Sequence, residues 1–153
     1  MKLAEAPLER KNLKTKVDSL RTRALQNALV QEGDAPAEEP TALLREMDEA
    51  ARQLGVLIKR INATNNVTLL PDGLSVSEAI VNRDVLDLRR VGLDTVLNKA
   101  AVRQDRIARA EIKFVPAVNI AELRREADAL AQARRELDAQ LQAVNWTADL
   151  TEV

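Results

Sequence analysis

The chain has 153 residues, which is enough for one domain with its own core, so a single domain over 1–153 is the prediction. Hydrophobic residues make up 46% but aromatic residues only 1%, a composition typical of packed helices built from Leu, Ala, Val and Ile. The formal net charge of -1 argues against a general polyanion binder, and the absence of cysteine excludes disulfides and zinc-thiolate sites.

The first predicted helix covers 3–31, with apolar residues in steps of three and four from Leu13 to Ala24. Gly33 is a plausible stop, and the acidic segment 32–40 contains two prolines, which predicts the loop of a helical hairpin. The acids of this loop could hold a hard cation, but they lack the regular spacing of a calcium loop, so a solvated hairpin tip is preferred.

A second helix is predicted over 41–65, with Thr41 as its N-cap. Its apolar seam is assigned to residues spaced three and four apart, and the same register turns polar at Asn65. The short amides at 62, 65 and 66 are expected to end the helix, because such side chains compete with the backbone for hydrogen bonds. The seam residues are Leu44, Met47, Ala51, Leu54, Ile58 and Ile61.

A short extended segment is predicted at 67–70, before a Pro-Asp-Gly turn. Ser75 with Glu78 forms a capping-box signature that begins a third helix over 76–106. The apolar residues of this helix spread over more than one stripe. A helix that is apolar on two sides needs two partners, and the second is expected to be another subunit.

A second extended segment is predicted at 110–118, and it could pair with 67–70 as a small β element. Asn119 and Glu122 repeat the capping pattern before a fourth helix over 120–145, whose seam is interrupted by Arg134. The fold class predicted is therefore mainly α: antiparallel long-helix hairpins, four-helix and coiled-coil-like, with a small β element.

The chemistry available to this chain is restricted by its lack of histidine, the usual general base near neutral pH and the commonest transition-metal ligand. Nucleophilic triads and Glu-x-x-His metal sites cannot be built, and four glycines do not form a phosphate loop. We therefore predict no catalytic residues, no metal site, no cofactor and no enzyme activity. The start of the chain lacks an apolar leader, and a cytoplasmic location is expected.

Some polar residues stand out from the helical pattern as a possible ligand site or interface. Two interpretations remain open: guanidinium groups that bind an anion or a partner, or a structural network in which the amides set register and the charges pair across helices. The structural interpretation is preferred. These candidates are Asn62, Asn65, Asn66, Arg83, Asp84, Arg103, Asp105, Arg106 and Lys113.

Seven ordered motifs carry a family resemblance: VQEG at 30–33, INATN at 61–65, DG at 72–73, NRD at 82–84, RQDR at 103–106, EIKFVP at 111–116 and NWT at 145–147. Over essentially the full chain, the sequence resembles a small uncharacterised bacterial family of helical proteins labelled septicolysin-like. The resemblance implies a mostly helical protein from a bacterium or phage, and the label suggests a pore-forming cytolysin.

Three functions are compared on this basis. The first is a structural or interaction protein that forms a homo-oligomer through helical packing. The second is a module that binds an anionic ligand or nucleic acid at an Arg/Asn-rich end, and the third is a membrane-active pore protein. The near-neutral charge argues against nucleic acid as a partner. The absence of long amphipathic strands and of an aromatic belt argues against insertion into a membrane.

Overall fold

A computed structural model describes residues 1–101 and 113–152, and within these ranges the chain forms four α-helices and no β-strand. The helices are α1 (Ala6–Gln26), α2 (Pro40–Val67), α3 (Val76–Ala100) and α4 (Ile120–Thr147). The mainly-α class is therefore confirmed. The chain divides into two compact units, one of Met1–Leu69 with Ala143–Val153 and one of Leu70–Gln142. The single domain over 1–153 stays a prediction.

Helix α1 is shorter than the predicted 3–31 at both ends. At its C-terminal end Asn27 is the C-cap, and its side-chain amide donates to the Arg23 carbonyl at 2.9 Å. The other atom of that amide accepts the Glu38 N–H at 3.1 Å, so Asn27 binds the hairpin loop instead of continuing the helix. Arg23 also donates through Nε to Glu38 at 3.0 Å, which joins a basic helix end to the acidic loop.

The N-cap of α2 is Glu39, not Thr41. Glu39 has extended backbone geometry, and its carboxylate accepts the Thr41 N–H at 3.2 Å. Pro40 occupies the first helical turn, where its missing N–H costs nothing and its fixed φ suits a helix start. The sequence interpretation overlooked this preference and began the helix one residue late.

The predicted seam of α2 is correct at Met47, Leu54 and Ile61, which are half-buried, and one residue late at its other positions. Leu43, Ala50 and Leu57 are buried, whereas Leu44 is 47% exposed. Leu43 joins Leu20 and Ala24 of α1 in one apolar cluster, with Met47 packed against it. Because one residue rotates a helix by about 100°, this shift moves the polar end of the seam from Asn65 to the buried Thr64.

The predicted β element is not supported by the structure. Val67 belongs to the last turn of α2, and the following residues form a tight turn in which the Leu70 N–H donates to the Leu74 carbonyl at 2.8 Å. Gly73 adopts φ +88 there, a conformation that favours glycine. The described part of the second segment, 113–118, forms no strand, and 110–112 lie outside the described residues.

The predicted starts of the last two helices are confirmed. Ser75 and Glu78 make both hydrogen bonds of a capping box, and the Glu122 N–H donates to Asn119 at 3.1 Å. Helix α3 ends at Ala100, with Ala101 as its C-cap, and residues 102–106 of the predicted third helix lie outside the described part. Helix α4 continues two residues beyond its predicted end.

Candidate functional site

The two ends of the chain meet at the C-terminal end of α2, within the first unit. The Leu3 N–H donates to the Ala148 carbonyl and the Leu150 N–H to the Met1 carbonyl, both at 2.9 Å. Lys2 and Asp149 face each other across this antiparallel bridge and form an ion pair at 2.8 Å. The hydrogen bond from Lys2 lowers the pKa of the Asp149 carboxyl.

Thr64 is the buried polar residue of this junction, with 1% of its surface exposed. Its hydroxyl lies 2.8 Å from the Arg60 carbonyl and 2.7 Å from the Thr151 hydroxyl, and it accepts the Thr151 N–H at 2.9 Å. Arg60 adds a hydrogen bond from Nε to the Thr151 carbonyl at 2.9 Å. These residues were not predicted, although the three-four spacing counted from Leu43 reaches Thr64.

The predicted asparagines lie in the last turns of α2 and do not end it. Asn62 and Asn66 are exposed, Asn65 is half-buried, and the helix continues to Val67. No described residue other than glycine has a positive φ, so none of the three amides uses left-handed geometry to stop the helix. Thr68 is the C-cap, and its N–H donates a hydrogen bond to the Thr64 carbonyl at 2.9 Å.

Arg83 and Asp84 belong to a network of ion pairs in the second unit. Arg83 lies 3.4 Å from Asp84 and 3.6 Å from Asp138 of α4, and Arg134 of α4 donates to Asp87 of α3 at 2.9 Å. Residue numbers rise along α3 as they fall along α4 in these pairs, so the two helices are antiparallel. Asp87 and Asp138 were not predicted, and Arg134 was read only as an interruption of the seam.

The carboxylates of this network outnumber its guanidinium groups, which disfavours an external anion. Two guanidinium groups, from Arg83 and Arg134, face three carboxylates, from Asp84, Asp87 and Asp138. An incoming phosphate or carboxylate would have to displace a carboxylate that is already held close to the guanidinium. The contacts observed are ion pairs within α3 and between α3 and α4.

The remaining predicted site residues cannot be placed together. Lys113 is exposed in the segment before α4. Arg103, Asp105 and Arg106 lie outside the described residues.

A separate feature of the second unit is an apolar stripe on α3. Val81, Val85 and Leu88 follow each other in steps of four and three, and they are 60%, 45% and 73% exposed. Buried Ala79 and Leu97 each lie nine residues from Leu88, which is about two and a half helical turns, so they occupy the opposite side of the helix. Helix α3 is therefore apolar on two opposite faces. We call the exposed one, formed by Val81, Val85, Leu88, Gly92 and Thr95, the outer stripe.

Residues 1–101 and 113–152 contain no cluster of three or more carboxylates that could hold a metal ion. None of the helices in these ranges combines the length and the apolar character needed to cross a membrane.

Comparison with known proteins gives relatives but no activity. No curated protein matches this chain. The crystal structure of a functionally unknown conserved protein from Corynebacterium diphtheriae is similar, with 37% identity, a TM-score of 0.89 and 99% of each chain covered. These findings fit an uncharacterised helical family, and they do not support the septicolysin-like label. Because residues 10–150 match the description "Family of unknown function (DUF6847)", the chain belongs to that family.

Proposed function

We propose that this chain is a non-enzymatic structural or interaction protein that assembles into a homo-oligomer through helix α3. The observation that carries the proposal is the pair of opposite apolar faces on α3, of which one is buried and the other exposed. Burial of a Val or Leu side chain contributes about 1.5–3 kcal/mol relative to full exposure, so an exposed stripe favours association.

The test compares oligomeric state in the wild type and in two matched variants. Leu88→Glu places a charge in the outer stripe, and Leu25→Glu makes the same change on α1 at a residue with almost the same exposure, 75% against 73%. Light scattering after size-exclusion chromatography should show a defined oligomer for the wild type and for Leu25→Glu, and a monomer for Leu88→Glu. A wild-type protein that is a monodisperse monomer at about 100 µM would refute the proposal.

The two other functions lack a supporting observation of this kind. Of the guanidinium groups predicted for an anion site, the structure describes that of Arg83, and it already faces two carboxylates. For the pore hypothesis, no helix within residues 1–101 and 113–152 has the length and hydropathy of a membrane span. Thermal stabilisation by inorganic phosphate would favour the first of these functions, and dye release from liposomes by the pure protein would favour the second.

A further inference from the structure

We infer that the outer stripe of one α3 helix packs against the outer stripe of the same helix in a second copy. The two helices are parallel and are related by a two-fold axis along their length. This inference rests on the proposed function and adds the occupant of the surface and its orientation. Three observations on α3 carry it: the residue types along the outer stripe, the charges beside it, and the space at Gly92.

The order of residue types fits a parallel helix pair. The steps from Val81 to Val85, Leu88, Gly92 and Thr95 are four, three, four and three residues, which is the spacing of a coiled-coil seam. In this register Val85 occupies an a position and Leu88 a d position. A β-branched residue at a with Leu at d favours two parallel strands.

The charges beside the stripe distinguish the two orientations. Asp84 precedes the Val85 position and Arg89 follows the Leu88 position, so they flank the stripe on opposite sides, five residues apart. A two-fold axis along the helices brings opposite flanks together and pairs Asp84 with the partner's Arg89, twice by symmetry. In an antiparallel pair, each flank of the stripe would face the same flank of the partner helix. Arg89 would then lie opposite the partner's Arg89 or opposite uncharged residues.

Both charges are exposed enough to meet a second copy. Asp84 keeps 62% of its side chain exposed beside its 3.4 Å contact with Arg83, so a partner's guanidinium group can reach it. Arg89 is exposed, and it forms no ion pair with any residue in 1–101 or 113–152. Charges at these flanking positions set orientation in paired helices, which is why the parallel arrangement is favoured.

The small residues of the stripe suit close contact between helices. Apart from its chain neighbours and the nearby backbone of its own helix, no described heavy atom lies within 4 Å of the place where a Cβ would stand at Gly92. Glycine inside an exposed helix is less favourable than alanine, and here it leaves room for a second helix to approach. Thr95 donates its hydroxyl to the Val91 carbonyl at 2.8 Å, so its polar group needs no partner across the interface.

Cysteine cross-linking tests the orientation directly, because the natural chain contains no cysteine. Single variants Val81→Cys, Leu88→Cys and Thr95→Cys should each form a disulfide-linked dimer under mild oxidation, at least about tenfold faster than Leu25→Cys on α1. In an antiparallel pair, only the position nearest the axis would link to itself, and mixing the Val81→Cys and Thr95→Cys proteins would produce the mixed dimer instead.

Charge reversal provides an independent measurement on the same dimer. Asp84→Arg and Arg89→Asp should each weaken association about three- to tenfold, and the double variant should recover most of the loss, because the two charges exchange places. Circular dichroism checks that each variant is folded. Absence of recovery in the double variant would refute the pairing.

The outcomes separate this inference from the proposed function. If the wild type is a defined oligomer but the variants at 81 and 95 do not cross-link, the parallel pairing is wrong and the proposed self-association stands. If the wild type is a monomer and no variant cross-links, both are wrong. Cross-linking at all three positions, together with recovery by the double charge reversal, supports both.

Discussion

Replacement of Thr64 by valine tests whether the junction at the chain termini stabilises the first unit. Valine has nearly the same shape but no hydroxyl, so Thr64→Val removes the acceptor of the Thr151 N–H and the contact with the Thr151 hydroxyl without opening a cavity. We expect a loss of about 1–2 kcal/mol in the free energy of unfolding.

The magnitude follows from which groups lose a partner. The Thr151 hydroxyl can turn to water because Thr151 is exposed, whereas its N–H, bonded to a residue that is 1% exposed, loses an acceptor inside the junction. One neutral hydrogen bond contributes about 0.5–1.5 kcal/mol, and a buried group left without a partner costs about 1–3 kcal/mol. These two contributions overlap, because both describe the same lost hydrogen bond. Valine is also more apolar than threonine and gains free energy on burial, so the net loss stays at about 1–2 kcal/mol.

Thr22→Val is the matched control. Thr22 is exposed on α1, and its hydroxyl donates to the carbonyl four residues earlier at 3.0 Å, as Thr64 does at 2.8 Å. Within residues 1–101 and 113–152, Thr22 forms no hydrogen bond to a distant segment. Urea denaturation followed by circular dichroism should show Thr64→Val less stable than Thr22→Val by about 1 kcal/mol. Hydrogen exchange should be faster at Thr151 in the first variant alone. Equal stability of the two variants would show that the tertiary hydrogen bonds contribute nothing.

Three further predictions address the seam and the helix cap. Leu43→Ala should lower the free energy of unfolding by about 2–5 kcal/mol, because the Leu43 side chain is buried. Leu44→Ala should lower it by under about 1 kcal/mol, because the Leu44 side chain is half exposed. If urea denaturation showed the larger loss for Leu44→Ala, the register predicted from the sequence would be correct. Ser75→Ala removes the N-cap of α3 and should cost about 1 kcal/mol in the same assay, and no change would mean that the capping box contributes nothing. Hydrogen bonds from the Ser75 N–H and hydroxyl lower the pKa of Glu78 below its ordinary value of 4.5. Since the folded pKa is lower, this stabilisation is complete above pH 4.5 and is lost as the pH falls through the folded value. Glu78→Gln should therefore be less stable than the wild type near pH 7 and approach it in acid, and a pH-independent difference would contradict this reasoning.

The register of α2 shows the limit of reading a seam from one helix. Leu43 and Leu44 are adjacent and equally apolar, so two seams one residue apart fit the sequence. Packing against Leu20 and Ala24 of α1 selects the seam that contains Leu43. The sequence alone lacked this information, because which of two neighbouring leucines is buried depends on the partner helix.

Interactions within a few residues were predictable, and those between distant segments were not. Ser75 with Glu78, and Asn119 with Glu122, could be identified because a cap uses residues three apart on one helix end. Thr64 with Thr151, and Arg134 with Asp87, could not, since these partners are 87 and 47 residues apart and polar residue types alone do not specify their pairing.

The sequence by itself determined the mainly-α class, the four helices, two of their starts and the two apolar sides of α3, because these depend on local spacing and capping. Only the tertiary structure decided the buried register of α2, the junction of the termini around Thr64, and the helix end at Val67 followed by a turn where a strand was predicted. Each of these is a choice between local alternatives of similar free energy, and contacts with residues far along the chain make that choice.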